Sequence, residues 1–131
     1  MTPKCKPFAP ALRYKRIAMR SLRYDTQTLT IDIQGEGFAF ALVTFADPVG
    51  FRVLDERDLC EFWTDYNARN GWLYEVEQGG WLELESLRPP FSTPSFHPTV
   101  HEYLIVSNMC VSVLSCNQPE LQDFGSDPQQ H

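Results

Sequence analysis

A chain of 131 residues has the length of one domain, and 43% hydrophobic with 13% aromatic residues suffices for a core, which excludes a wholly disordered protein. Its longest apolar run, Phe38 to Val43, falls far short of the roughly 20 residues of a membrane-spanning helix, so no membrane partner is expected. The net charge of −6 is unevenly divided: residues 1–23 carry seven Lys and Arg and no acid, whereas residues 24–131 hold all 17 acids against four arginines, a net −13. An acidic body repels nucleic acid and steers basic partners toward itself.

In chain order, residues 1–20 read as a flexible basic arm, because Pro3, Pro7 and Pro10 interrupt a stretch without apolar period. One domain is expected over residues 21–116. Leu29, Ile31 and Ile33 alternate with Thr28, Thr30 and Asp32, the period of a half-buried strand. After the turn Gln34-Gly35-Glu36-Gly37, the run Phe38 to Phe45 is apolar on both faces and predicts a central strand. Asp47-Pro48 ends it, and Gly50 to Leu54 gives another short strand.

Asp55 then fits a helix N-cap with Glu56 and Asp58 in the first turn. Leu59, Phe62, Trp63 and Tyr66 follow at helical spacing, and Asn70-Gly71 supplies a stop, so the one main helix is expected at about residues 56–69. Beyond it, Trp72 to Glu77 and Trp81 to Glu85 alternate on either side of Gln78-Gly79-Gly80, which predicts a hairpin. The proline-rich stretch 88–99 reads as a loop. Glu102 to Val106 and Cys110 to Leu114 read as two further strands, and residues 117–131 as a frayed polar tail. The fold class is therefore α+β, a mostly antiparallel sheet of about six or seven strands with one main helix.

No catalytic arrangement emerges. Cys60 and Cys110 with His97 and His101 lack a nucleophile elbow, and a buried free cysteine is usually inert packing. His97 and His101 have a zinc-like spacing, but Pro98 rules out the helix that commonly presents such a pair, and Cys110 and Cys116 stand too far apart. No metal and no cofactor is expected. The four cysteines have no framework spacing, and no apolar segment follows the basic N-terminus, so reduced thiols and a cytoplasmic location are expected.

Two features point toward binding. Glu75 with Glu77, and Glu83 with Glu85, would share one face of the expected hairpin, and Trp72 or Trp81 would flank its turn as an apolar anchor. These six residues form the expected binding surface. The strings FRVLDERDLCEFW, GWLYEVEQGGWLELE and HEYLIVSNMCVSVLS, about half the chain, resemble small acidic bacterial proteins of the toxin-immunity type. That resemblance implies a cytoplasmic, non-enzymatic protein that occludes a basic toxin domain. The alternatives are a structural domain that dimerises through an exposed strand edge, and a small-ligand binder or hydrolase with a pocket between helix and sheet.

Overall fold

The computed structural model describes residues 3–8, 17–36, 39–55 and 71–126. The helix expected at 56–69, and Cys60 within it, lie outside the described residues. The described chain forms nine strands and two short helices: β1 (Lys4–Pro7), β2 (Ala18–Tyr24), β3 (Thr28–Gln34), β4 (Ala39–Ala46), β5 (Gly50–Asp55), β6 (Leu73–Gln78), α1 (Trp81–Glu85), α2 (Thr93–Phe96), β7 (His101–Val106), β8 (Met109–Ser115) and β9 (Glu120–Ser126). They make two antiparallel sheets rather than one. The five-stranded sheet has the order β1-β6-β7-β8-β5, and the four-stranded sheet β2-β3-β4-β9.

The alternation read from the sequence builds the inner face of the smaller sheet. Leu29, Ile31 and Ile33 of β3 pair across the hairpin with Phe45, Val43 and Ala41 of β4, and all six are fully buried. Opposite them lie Leu73 of β6, Tyr103 and Ile105 of β7, and Val111 and Val113 of β8, which complete the main core. Phe45 and Tyr103 meet across the two sheets with ring centroids 5.6 Å apart. Each such side chain contributes roughly 1.5–3 kcal/mol on leaving water, which is what holds the sheets together.

The five-stranded sheet is apolar on its second face as well. Tyr74, Val76, Leu104, Val106, Cys110 and Cys5 form a separate buried cluster there. This explains why β7 and β8 read as near-continuous apolar runs: both of their faces are covered.

Two stretches expected to lie outside the domain belong to the sheets. Within the presumed arm, β1 pairs with β6, Cys5 is buried, and Phe8 and Ile17 pack against the main core. β2 then pairs with β3 from Ala18 to Tyr24. The presumed frayed tail supplies β9, which pairs with β4 and turns Leu121 toward the core. In each case the sequence signal is thin: a short strand that sends one or two side chains inward has no visible period.

Candidate functional site

The expected hairpin of residues 72–85 is not formed. β6 is flanked by β1 on one side and β7 on the other, so no edge remains for a strand made from residues 81–85. The chain turns at Gly79, whose φ is +76°, and enters α1 at once. Glu102 of β7 governs that turn. Its carboxylate, 2% exposed, accepts hydrogen bonds from the backbone N–H groups of Trp81 (3.1 Å) and Leu82 (2.8 Å). These are donors that the first turn of a helix otherwise leaves unsatisfied. A Cβ at Gly80 would stand 2.6 Å and 2.7 Å from the two Glu102 oxygens, so only glycine lets the backbone approach this closely.

Side chains of α1 continue the bracing. Glu83 accepts from the Gly79 N–H at 2.6 Å, and Glu85 accepts from the Trp81 indole N–H at 3.2 Å and from Arg88 Nε at 2.7 Å. Trp81 in turn faces the Arg52 guanidinium of β5, 5.1 Å from the ring centroid, and Arg88 lies over Phe91 at 5.8 Å. The spacing of Trp81, Glu85 and Arg88 is helical, and this pattern competes with the strand period of residues 81–85. A cleft of about 230 Å³ opens between this segment and the start of β5, lined by Val49, Gly50, Trp81, Glu85, Arg88 and Phe91, among others.

The six expected binding residues are therefore dispersed. Trp72 is 2% exposed and belongs to the main core, so it is no rim anchor. Trp81 is half-buried against Arg52. Glu75 lies in β6 with one oxygen 3.3 Å from Lys6 Nζ and the other 3.2 Å from His101 Nδ1. Glu83 and Glu85 are engaged within α1, and Glu77 alone of the four is exposed. The carboxylates thus shape the segment instead of forming a free acidic face.

What the sequence does not announce is the apolar crest of the same segment. Leu84, Leu87 and Phe96 are 62%, 79% and 78% exposed, the highest values among the exposed large hydrophobic residues described. All three project from the connection between β6 and β7, with the exposed Pro89-Pro90 between them. Single exposed apolar side chains are ordinary; here three of them lie within one connection of the chain.

The titrating groups behave as their surroundings require. Burial pushes the Cys5 thiol up to about 12, with Glu102 and Glu77 adding to the effect, so this cysteine is protonated and unreactive at neutral pH. Burial also raises the Glu102 carboxyl above the ordinary 4.5, against the pull of the Leu82 and Trp81 N–H groups and of Arg52; Glu83 adds to the rise. Among the described residues, no group of three or more His, Cys, Asp or Glu side chains is placed to hold a metal ion. No described helix is long and apolar enough to cross a membrane.

A carboxyl whose folded value is raised binds its proton more tightly in the folded than in the unfolded state. Its contribution to stability therefore grows as pH falls from neutrality toward 4.5. Asp25 and Glu85 shift the other way. Backbone N–H groups of Gln27 and Thr28 lower Asp25, Arg88 lowers Glu85, and their contributions are lost only below their ordinary values of 3.8 and 4.5. The stability of the protein relative to its Glu102→Gln variant is accordingly expected to increase between pH 7 and pH ~4.5. Urea unfolding of both proteins at several pH values checks this, and a difference that stays flat would place Glu102 in water.

Comparison with protein-family models, with curated proteins and with solved structures finds no match for this chain. The described residues are thus defined by their own architecture: two packed antiparallel sheets, with β6 and β7 joined by a connection, residues 79–100, whose α1 end is braced by Glu102.

Proposed function

We propose that this chain is a non-enzymatic protein-binding domain of the immunity or inhibitor type, acting in the cytoplasm by covering part of a basic toxin domain. The observation that carries the reading is the exposure of Leu84, Leu87 and Phe96 together on the connection between β6 and β7. Bulky apolar side chains at the centre of a contact supply most of its affinity once desolvated, while surrounding charge acts on the encounter rate. The net charge of the whole chain, −6, supports a basic partner. The small-ligand reading has the cleft beside Trp81 in its favour, but at about 230 Å³ it is below the roughly 300–1,000 Å³ of ordinary ligand pockets.

The test is calorimetric titration with the product of the neighbouring gene. Leu87→Asp and Phe96→Asp are expected to weaken binding by roughly 1–3 kcal/mol each and leave the melting temperature unchanged, since both side chains are in water already. Raising the salt from about 50 to 500 mM should slow association. Affinity indifferent to both substitutions would remove this surface from the interface.

A further inference from the structure

Among the described residues the two sheets have four edge strands, β1 and β5 in one and β2 and β9 in the other. Unpaired edges invite another strand, and proteins blunt them with bulges, prolines and charges. Three of these edges are blunted. The β1 pairing shifts register between Lys4 and Cys5, and the strand holds two lysines and Pro7. The β2 pairing shifts between Met19 and Ser21, and the strand shows exposed Arg20 and Arg23. The β9 pairing shifts where it meets Phe40 and Ala41, and the strand shows exposed Glu120 and Asp123.

β5 is less defended, with Arg52 and the terminal Asp55 as its two charges. Its register with β8 is unbroken from Gly50↔Leu114 to Asp55↔Met109, and it contains no lysine and no proline. Its single cation, Arg52, is drawn over the Trp81 ring. Val53 is 38% exposed, and Tyr24, 43% exposed, makes an edge-on contact with Phe51 at 5.1 Å on the same flank. At the start of the strand, a Cβ at Gly50 would lie 3.7 Å from the Trp81 ring, and both residues line the cleft.

We propose that β5 accepts an extended segment of a protein partner as a sixth strand, with an apolar side chain of that segment seated in the cleft beside Gly50. The proposal deepens the protein-binding reading and rests on it. A strand running antiparallel to β5 places the residue opposite Gly50 on the cleft face, because directly paired residues share a face. Main-chain hydrogen bonds then supply affinity, and the cleft, walled by Trp81 and Phe91, supplies selectivity. A second copy of this chain fits poorly. The two antiparallel self-pairings that overlap most of β5 set Arg52 against Arg52, or else Arg52 against Leu54 and Phe51 against Asp55. The net charge also opposes self-association and favours a segment with basic flanks.

The probe is a set of synthetic peptides of about ten residues that alternate Val or Leu with Thr and end in Lys, added to the full isotope-labelled chain. Slowed amide exchange along residues 50–55, with cross-strand NOEs from Phe51 and Val53 to the peptide backbone, is the expected result. Val53→Lys, which adds a charge to the edge, and Gly50→Leu, which fills the cleft, should each weaken binding about tenfold. Gly50→Ala, whose methyl makes only an ordinary contact, should bind like the parent. Leu87→Asp and Phe96→Asp should not affect the peptides, so their failure in the calorimetric titration would strike the docking crest and leave β5 standing. The proposal is overturned if no peptide protects β5, if Val53→Lys binds as well as the parent, or if β5 pairs with a second copy instead.

Discussion

Replacing Phe45 with alanine is expected to destabilise the protein by about 3–5 kcal/mol, a fall of roughly 10 °C or more in melting temperature for a chain of this size. Phe45 has no exposure, pairs with Leu29 on the inner face of β3, and meets Tyr103 of the opposite sheet. Its ring is thus a bridge between the sheets, and its removal leaves a cavity that only movement of one sheet could close. The close packing of β3 and β4 opposes that movement, because Ile31 and Val43 are also fully buried beside it. Phe45→Leu keeps much of the volume and should cost less than half as much. Chemical denaturation of the two variants decides the matter. Equal, small losses would mean that the sheets are not packed through this ring.

The strands that were legible are those in which one face alternates or both are apolar. β3 declares itself through Leu29, Ile31 and Ile33, and β4 reads as interior because Phe40 and Leu42 accompany Ala41, Val43 and Phe45. β5, β6, β7 and β8 were likewise readable within a residue or two. The remaining strands were hidden by irregularity. In β2 the register shift brings Met19 and Leu22 to the core at a spacing of three, which breaks the period of two. β1 has one inward residue, Cys5, among lysines and a proline. The number of sheets follows from which strands face each other, and local pattern does not encode that.

The site was less legible because its determinant is a long-range contact. Trp81-Leu82-Glu83-Leu84-Glu85 satisfies the strand period and the helical i, i+4 spacing equally well. The choice is made by Glu102, 20 residues away from Leu82, which accepts the two N–H groups at the start of α1. The available signal was the lone carboxylate of Glu102 directly before the apolar run Tyr103 to Val106: a charge kept in a buried strand has a partner to satisfy. The exposure of Leu84 then follows from α1 forming, since Trp81 of the same helix turns to Arg52 of β5 and Leu84 turns away.

A chain beginning at Met19 is expected to lose roughly 3–5 kcal/mol of stability, against the expectation that the sequence of the first residues encourages. The deletion removes β1 and with it the pairing of Lys4 to Pro7 with residues 74–78 of β6. Cys5 leaves the second-face cluster, and Phe8, whose N–H donates to the Leu73 carbonyl at 2.8 Å, leaves the main core together with Ile17. The Lys6–Glu75 ion pair also goes, but Lys6 is mostly exposed and such pairs are worth little. More consequential is the new edge. β6 would present its free backbone, and Tyr74 and Val76, 1% and 9% exposed, would lose the cover of Cys5. The shortened chain should therefore melt about 10 °C lower and aggregate more readily on heating. Calorimetry on both chains measures the first effect, and light scattering during the same ramp measures the second. In the full chain Cys5 should react with a thiol reagent only as fast as the protein opens, because its thiol is buried and protonated. A melting temperature unchanged by the deletion, with Cys5 freely reactive, would show that β1 stands off the sheet in solution.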